Sequence, residues 1–365
     1  MKIIVDREKI LENLTLASHF TSHKIAAVSA LQGIYLKGEK NKLHLYASNL
    51  SSFFHTAISV EVTQPSDFVI EPKKIIEFLS LLSSGKIEME VKEKQLLVSQ
   101  KKTKGSFPLM TTSDFPLPPS IDDKAHSIKS AFLLKNIPLV LFSASSDEAR
   151  PVLTGVNIVT DENTMTLVST DGFRLSLVKV KKEIDVPSVI IPSDFLNEVL
   201  RYIKNEKEVL FSYSPKEKLV KFQVGDTSFY SRLIEGDFPP YEKVVPQERS
   251  TVAVVDAEEL LRNIKIVSVF ARDFSNIVIL EFKKTGLICH PKIESVGENM
   301  TTQDVELTGE EQKVAFNYKF LLDFLNNVKG KKLKIEVLRP DAPVLLRIEE
   351  YSDLIHIIMP VRIQE

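Results

Sequence analysis

The alternation of hydrophobic and polar positions predicts the same order of elements three times along this chain. Each unit opens with apolar residues at helical spacing, and in the first unit Asp6 stands before them as a good N-cap. The matching helices are predicted over Lys129 to Ser143 and over Asp256 to Phe270. Pro138 lies inside the second of the three, so we expect a kink or a shifted start there.

Strands follow each opening helix, and a second helix follows those strands. Apolar residues alternate with polar ones in short runs such as Leu43 to Ala47, which is the strand pattern. The second helices are predicted over Pro72 to Leu82, Pro192 to Lys204 and Asn317 to Val328, and proline is favoured in a first helical turn. A hairpin and a last strand, such as Ile357 to Pro360, close each unit. Each unit is therefore predicted to be α+β, with two helices packed on antiparallel sheet.

Short sequence motifs recur with the same spacing. The turn Asp114-Phe115-Pro116 returns as Asp237-Phe238-Pro239, and a strand-opening glycine stands at Gly33 and again at Gly155. The third copy of that position is Asn276. Self-similarity with a period of roughly 120 residues predicts one domain repeated in tandem. The predicted domains are residues 1–122, 123–247 and 248–365. The third unit ends where a linker to a further unit would begin. We therefore expect the end of this unit to contact another chain instead.

Composition predicts an ordinary globular protein of a reducing compartment. Hydrophobic residues make up 43% and charged residues 26% of the chain. The single cysteine, Cys289, cannot form an intrachain disulfide, which favours the cytoplasm. The first residues lack the apolar core of a signal peptide, and no apolar run has the length of a membrane span. We therefore expect a cytoplasmic protein that has no membrane partner.

The distribution of charge matters more than its total. A net charge of −2 argues against a generic polyanion binder. Yet the predicted helices carry basic residues off their apolar faces, which are Arg7, Lys9, Lys73, Lys74, Lys129, Lys135, Arg201, Lys204, Arg262, Lys265, Lys319 and Lys329. Each helix taken alone could simply present a solvated face. Together they suggest a ring or arc whose basic helices hold a phosphate backbone without reading bases.

Motifs for catalysis or metal binding do not emerge from the sequence. The seven histidines have neither zinc spacing nor a paired cysteine, and the chain has no P-loop, dinucleotide-binding glycine run or nucleophile elbow. Thr170-Asp171-Gly172 is typical of a tight turn between strands. The sequence therefore predicts a protein that is not an enzyme and needs neither cofactor nor metal.

Specific motifs in the second and third units resemble one known family. The strings Arg150 to Val156 and Leu167 to Leu175 are similar to the middle domain of bacterial DNA sliding clamps, the β subunit of the replicative polymerase III. So are Gly236 to Tyr241 and the C-terminal Ile358 to Ile363. The resemblance covers the whole chain in order. Its combination of TDG-x-RL, DFP-x-Y and a terminal MP-x-R is specific, although each motif alone would be weak.

The resemblance implies a DNA-clamp fold and a tethering function. It implies a head-to-tail homodimer, closed as a ring of six domains around double-stranded DNA, with helices lining the hole and sheets outside. The implied partners are the catalytic subunit of the replicative polymerase, the clamp loader and other proteins that carry a clamp-binding motif. A closed heterologous ring is one of the two outcomes open to a head-to-tail contact, the other being a filament.

The resemblance also implies a hydrophobic pocket for short peptides of partner proteins. Its wall, carried over by motif, is Leu153, Thr170, Gly172, Phe173, Arg174, Leu175, Pro239, Lys243, Val244, Val344, Leu345, Ile357, Met359, Pro360, Val361 and Arg362. Ordinary core packing is the other interpretation of the apolar members. Phe173 stands where the family often has His, and Lys243 where Arg is common, so we expect an altered rim and altered peptide preference. The first unit has Ala47 to Leu50 in place of Ser169 to Gly172, and we expect no equivalent pocket there.

The same resemblance places DNA contacts at Lys24 and Arg150. It also places the dimer interface at Lys74 and Phe107 of one subunit, which should meet Val269, Phe270 and the acidic Glu294 or Glu298 of the other.

Two further hypotheses stay open beside the clamp. An enzyme assembled between repeats would bind metal or turn over a substrate. A scaffold of repeated domains would bind peptides without encircling DNA, and an open array of that kind usually has a distinct polar cap.

Overall fold

The computed structural model describes residues 2–22, 29–121, 123–184, 186–272, 275–292 and 299–362. The chain separates into two compact units, Met1–Ser130 with Asn197–Leu233, and Ala131–Leu196 with Ile234–Glu365. These units differ from the three predicted domains because each contains strands of two repeats. The predicted domain boundaries therefore stay a prediction.

The first repeat has the predicted order of elements. In chain order these are β1 (Lys2–Asp6), α1 (Arg7–Ser18), β2 (Ile34–Glu39), β3 (Lys42–Ser48), β4 (Ser52–Ser59), β5 (Glu61–Val62), β6 (Ser66–Ile70), α2 (Pro72–Leu81), β7 (Lys86–Lys92), β8 (Gln95–Gln100) and β9 (Thr103–Met110). The predicted N-cap is present, since the Asp6 carboxylate accepts a hydrogen bond from the Lys9 amide at 3.2 Å. It satisfies one of the backbone donors that a helix start leaves free.

The second repeat differs from the first in its opening helix. Its elements are β10 (His126–Lys129), α3 (Ser130–Asn136), α4 (Pro138–Leu141), β11 (Gly155–Thr160), β12 (Thr164–Thr170), β13 (Arg174–Lys181), β14 (Val189–Pro192), α5 (Ser193–Tyr202), β15 (Glu208–Ser214), β16 (Leu219–Val224) and β17 (Thr227–Arg232). The predicted helix breaks at Pro138, which has no amide hydrogen to donate. The expected kink is thus a division into two short helices.

The third repeat has side-chain caps on both helices. Its elements are β18 (Thr251–Asp256), α6 (Ala257–Ala271), β19 (Ile277–Lys283), β20 (Gly286–Pro291), β21 (Thr301–Gln303), β22 (Glu306–Gly309), β23 (Gln312–Asn317), α7 (Tyr318–Asn327), β24 (Lys332–Val337), β25 (Val344–Ile348) and β26 (Leu354–Ile358). Asp256 caps α6 and Asn317 caps α7. The last strand ends at Ile358, before the predicted Pro360, which cannot donate to a ladder.

The unit formed by Met1–Ser130 and Asn197–Leu233 is built on one sheet of 13 antiparallel strands. Their order is β10-β15-β16-β17-β4-β3-β2-β6-β9-β8-β7-β1-β5. The pair β17–β4 joins the second repeat to the first, with Phe229 opposite Phe54. Phe20 of the region after α1 packs on both rings, at centroid distances of 5.7 and 5.5 Å. The junction between these repeats is therefore a continuous sheet over an aromatic core.

The other unit, Ala131–Leu196 with Ile234–Glu365, contains two sheets. Nine strands follow the order β14-β11-β12-β13-β26-β25-β24-β18-β22, and four follow β21-β20-β19-β23. The pair β13–β26 joins the second repeat to the third, with Leu175 opposite Ile357. Pairing across the junction covers a strand edge that would otherwise be open to other chains. The candidate functional site lies on this junction.

The repeated glycine has a packing reason. A Cβ atom at Gly33 would lie 2.4 Å from Val69 Cγ1, and one at Gly155 would lie 2.6 Å from Ile190 Cγ2. Those distances are too short for a real side chain, so the neighbouring strand requires glycine at both positions.

Candidate functional site

An apolar cluster lies on one face of the nine-stranded sheet, where the second and third repeats join. The register places Leu175 opposite Ile357, and Ile357 opposite Leu345, so all three side chains point to the same face. The buried members of the cluster are Val168, Leu175, Leu177, Leu345 and Ile357. Partly buried side chains that pack against it are Phe238, Tyr241, Val245 and Ile355. Three predicted wall residues thus form one surface, to which the segment after β17 adds aromatic neighbours.

The predicted tight turn after β12 forms the edge of this cluster. Asp171 Oδ1 accepts the amides of Phe173 at 2.9 Å and Arg174 at 3.0 Å. Thr170 Oγ1 accepts the Gly172 amide at 3.1 Å and donates to the Arg174 carbonyl at 2.6 Å. Gly172 has a φ of +92°, which favours glycine. These bonds hold Phe173 outward, with 59% of its surface exposed.

Arg174 is held in place from three sides. Its Nε donates to Asp171 Oδ2 at 3.0 Å and its Nη1 donates to Asp323 Oδ2 at 2.5 Å. The guanidinium carbon lies 4.7 Å from the centre of the Phe320 ring, a cation–π distance. The side chain is only 10% exposed. Asp323 and Phe320, both on α7, were not predicted, and no local pattern links them to a position so far away in sequence.

The segment after β26 is tied to the turn by its backbone. The Met359 amide donates to the Phe173 carbonyl, and the Val361 amide to the Ala315 carbonyl, each at 2.8 Å. Met359 is 37% exposed. Phe173 and Met359 therefore stand together at the edge of the apolar cluster.

The segment after β17 also packs against the cluster. Tyr241–Val244 forms a single 3-10 turn, in which Lys243 and Val244 are exposed, as is Pro239 before it. Tyr241 is partly buried against the cluster, and burial raises its pKa to about 12. Its ring meets that of Phe238 edge to face, with centroids 6.3 Å apart. The exposed Val244 adds a third apolar side chain to the rim.

The remaining predicted wall residues have different positions. Val344 pairs with Ile358, so it lies on the opposite face of the sheet from Leu345 and is fully buried. Leu153 ends a 3-10 turn and is buried. Pro360 is half-buried and Arg362 is exposed. Val344 therefore packs on the other face of the sheet from the cluster.

A buried histidine lies on the face of the sheet that carries Arg174. The Nδ1 of His356 is 2.7 Å from Ser176 Oγ, which in turn is 2.7 Å from Ser143 Oγ. The His356 ring stacks on Phe324 with centroids 4.6 Å apart, and its Nε2 has no hydrogen-bond partner among the described residues. Burial, helped by the charge of Arg174, lowers the pKa of His356 to about 3. His356 is thus a neutral part of the support, and its place within an apolar strand gave no sign of this role.

The structure describes one of the two predicted DNA contacts. Lys24 lies outside the described residues. Arg150 is half exposed, and its Nε donates to Asp147 Oδ2 at 2.9 Å. A backbone hydrogen bond from Ala149, together with this arginine, lowers the pKa of Asp147. Arg150 also lies beside the tight turn, since a Cβ atom at Gly172 would be 3.2 Å from its Nη1.

The residues predicted for the dimer interface fall into exposed and buried groups. Val269 and Phe270, near the end of α6, are 48% and 40% exposed. Lys74 is exposed on α2. Phe107 is only 8% exposed, because its ring packs edge to face on Phe78 with centroids 5.4 Å apart. The predicted acidic residues Glu294 and Glu298 lie outside the described residues.

Within the described ranges, no three or more His, Cys, Asp or Glu side chains are grouped so that they could hold a metal ion. Among those residues no helix is both long and apolar enough to cross a membrane. What the site offers is a buried apolar floor with exposed apolar side chains at its edges, an arrangement typical of peptide recognition.

Three family models match the chain in tandem. They describe the N-terminal, central and C-terminal domains of the DNA polymerase III beta subunit, over residues 1–119, 127–240 and 242–362. The beta sliding clamp of Treponema pallidum is 28% identical over 99% of this chain and its own full length. That of Bacillus subtilis is 27% identical with the same coverage.

Solved structures agree in fold over the whole length. The DNA polymerase III beta subunit of Thermotoga maritima aligns with a TM-score of 0.91 at 23% identity, and the sliding clamp of Bacillus subtilis with 0.89 at 24%, each covering all of both chains. The predicted fold of three tandem α+β clamp domains is confirmed. So is the predicted function of a DNA sliding clamp, which in this family is a non-catalytic processivity factor. The chain belongs to the DNA polymerase III beta subunit family, the bacterial beta sliding clamps.

Proposed function

We propose that two copies of this chain close head to tail around double-stranded DNA and hold partner proteins at the apolar site beside Arg174. The observation that carries the partner-binding part of this proposal is the rim of that site. Phe173, Val244 and Met359 are large apolar side chains that stay exposed above a buried floor. Exposed apolar groups gathered around one cluster mark an interaction surface. The partners proposed are the replicative polymerase, the clamp loader and other proteins that carry a short clamp-binding peptide, all in the cytoplasm.

DNA is proposed to be held through its phosphates. The helices carry exposed basic residues, among them Lys9 on α1, Lys73 on α2 and Arg262 on α6. A groove of about 700 Å³ at the start of α6 and the end of α7 adds Lys265 and Lys329 to its walls. Contacts of this kind release counterions, so binding should fall steeply with salt and be independent of base sequence.

The DNA proposal is tested with duplexes of unrelated sequence over a range of salt concentrations. Replacing Lys24→Glu together with Arg150→Glu should weaken binding to all duplexes alike. It should also reduce the slope of log affinity against log salt, by about one for each lost phosphate contact. Lys94→Glu, in the exposed turn between β7 and β8, is the matched control. A loss that depends on base sequence would contradict this proposal.

The peptide proposal is tested by removing one edge of the site. Partner peptides are expected to be extended, with a Gln and a Leu-Phe-like apolar end. Deleting residues 359–365 removes Met359 and its hydrogen bond to Phe173, and should abolish peptide binding in calorimetry. Deleting only residues 363–365, which keeps Met359 and Val361, is the control. Full-affinity binding after the longer deletion would place the peptide elsewhere.

A further inference from the structure

The backbone turn of the candidate site occurs a second time, in the unit formed by Met1–Ser130 and Asn197–Leu233. Asn49 Oδ1 accepts the amides of Ser51 at 3.1 Å and Ser52 at 2.8 Å, just as Asp171 Oδ1 accepts those of Phe173 and Arg174. Leu50 has a φ of +73°, close to the +92° of Gly172. A leucine in this region of φ is uncommon and strained. The two turns therefore share one conformation despite their different sequences.

The strands beside this turn repeat the arrangement as well. The Arg232 amide donates to the Ser51 carbonyl at 2.8 Å, as the Met359 amide does to Phe173. Phe53 pairs with Tyr230, and Tyr230 with Lys221. In the candidate site the same register positions are Leu175, Ile357 and Leu345. The junction of the first and second repeats thus has the backbone of the proposed peptide site.

The side chains on this backbone are of another chemical type. Tyr46 and His55 stack with centroids 4.4 Å apart, next to the buried Phe53 and Tyr230. Leu50 is 50% exposed at the edge. Sequence comparison of the two turns led us to expect no equivalent pocket here. The lining does differ, since Phe53 and Tyr230 are aromatic where the matching Leu175 and Ile357 are aliphatic, but the backbone is shared.

Two cations on this surface lack acidic partners. The Lys221 ammonium lies 5.5 Å from the centre of the Tyr230 ring, and burial lowers its pKa. Arg232 Nε donates to the Leu50 carbonyl at 3.1 Å. Neither forms an ion pair with a carboxylate in the part of the chain that the structure describes. A partly buried cation without a counterion favours a ligand that supplies one.

We propose that this surface, made of Tyr46, Leu50, Phe53, Lys221, Tyr230 and Arg232, binds extended peptide segments in which a carboxylate stands beside an aromatic or aliphatic side chain. The proposal rests on the peptide function proposed for the equivalent backbone at Asp171–Arg174. The aromatic rings would hold the apolar side chain, and Lys221 with Arg232 would hold the carboxylate. Aromatic and arginine side chains are those that dominate binding at protein interfaces.

Nucleic acid fits this surface less well. The neighbouring lysines are already paired, Lys37 with Glu39 and Lys42 with Asp226. The acidic Asp67 accepts the hydroxyl of Tyr35 at 3.1 Å close by. Single-stranded nucleic acid needs a continuous basic groove beside its stacking rings, which these carboxylates interrupt.

The test is photo-crosslinking of the full chain with a peptide of sequence Gly-Ser-Asp-Leu-Phe-Ser-Gly, whose Phe is replaced by benzoylphenylalanine. The proposal expects crosslinks on Leu50, Phe53 or Tyr230. It expects an affinity about tenfold lower for Lys221→Gln, which removes one charge-assisted contact, and a larger loss for the peptide with Asn in place of Asp, which removes both. Lys216→Gln, in the exposed turn between β15 and β16, should bind like the unaltered chain.

The outcomes separate this proposal from the one on which it rests. Crosslinks confined to the surface of Phe173 and Met359, no crosslinks at all, or an unchanged affinity of Lys221→Gln would overturn the first-junction site. Displacement of the peptide from Leu50 by a single-stranded oligonucleotide, at concentrations where an acidic peptide does not compete, would assign the surface to nucleic acid instead. Failure of a Gln-containing, Leu-Phe-ended peptide to crosslink at Met359 would count only against the peptide function of the other site.

Discussion

Arg174 on β13 and Asp323 on α7 form an ion pair that connects the candidate peptide site to a helix. Arg174 Nη1 donates to Asp323 Oδ2 at 2.5 Å, while Nε of the same guanidinium holds Asp171 in the tight turn. The turn in turn presents the Phe173 carbonyl to the Met359 amide. The position of the rim therefore depends on a carboxylate that does not belong to the rim.

Asp323→Asn is expected to weaken peptide binding without removing any residue of the proposed rim. The loss should be about 1 kcal/mol, less than a buried charged hydrogen bond contributes, because the Asp323 side chain is 45% exposed and solvent screens it. Calorimetry with a partner peptide measures the effect. Asp341→Asn, which removes the exposed pair with Arg339, is the control and should bind peptide normally. Equal affinities for both variants would show that Asp323 does not position the site.

Phe173→His is expected to change the ranking of partner peptides rather than abolish their binding. Phe173 is more than half exposed at the rim, and a rim side chain typically tunes affinity by about 1 kcal/mol or less. A panel of peptides measured against both forms tests this. Loss of binding for every peptide would instead make Phe173 an anchor of the site.

Phe270→Asp is expected to convert the proposed dimer into single chains. Phe270 is 40% exposed, so the change costs folding little, but it would place an unpaired charge in the interface at a cost of about 3 kcal/mol or more. Phe107→Asp is a poorer test because Phe107 packs on Phe78 within its own chain. Sedimentation should give 41.2 kDa for the variant and twice that for the unaltered chain.

Leu210→Asp is the control for this experiment, since Leu210 is 43% exposed on β15 and outside the predicted interface. A Phe270→Asp protein that still sediments as a dimer would rule out the proposed contact.

Stability is expected to fall on acidification because His356 is buried in its neutral form. Its pKa is about 3 in the folded protein against 6.5 ordinarily, so below pH 6.5 only the unfolded chain takes up the proton. The contribution of His356 to the free energy of unfolding does not change with pH above 6.5. It decreases as the pH falls from 6.5 toward 3. Between pH 7 and pH 5 the linked loss is about 2 kcal/mol.

Urea unfolding of His356→Gln against the unaltered chain measures this contribution. The variant should show a flatter dependence of the unfolding free energy on pH between 7 and 5, with parallel curves above pH 7 as the internal control. Identical slopes in the acidic range would contradict the assignment.

Local signals explain what the sequence could predict. The cap at Asp6 and the break at Pro138 depend on residues next to one another, and the structure has both of them. The tight turn at Asp171 is local too, because its carboxylate bonds to amides two and three residues on. Patterns of this kind are set by backbone geometry and need no knowledge of the rest of the chain.

Contacts between distant residues account for what could not be predicted. The pair Arg174–Asp323 and the pair Ser176–His356 depend on the register of β13 against β26 and on how α7 packs, which no local pattern encodes. At Leu50 the local residue type gives the wrong expectation. Its side chain argues against a positive φ, yet Asn49 and the neighbouring strands hold it there.

The most direct test of the central claim is retention on circular DNA. The protein is loaded onto nicked circular duplex DNA by a clamp loader, and free protein is removed by gel filtration at high salt. Salt breaks the contacts with the phosphates but does not open a closed ring, so the chain should stay with the circle and leave as soon as a restriction enzyme linearises it. Blocking both ends of the linear molecule should restore retention. A peptide-binding scaffold that does not encircle DNA would elute apart from the circle, or would remain equally on circular and open linear DNA, and either result would contradict the account.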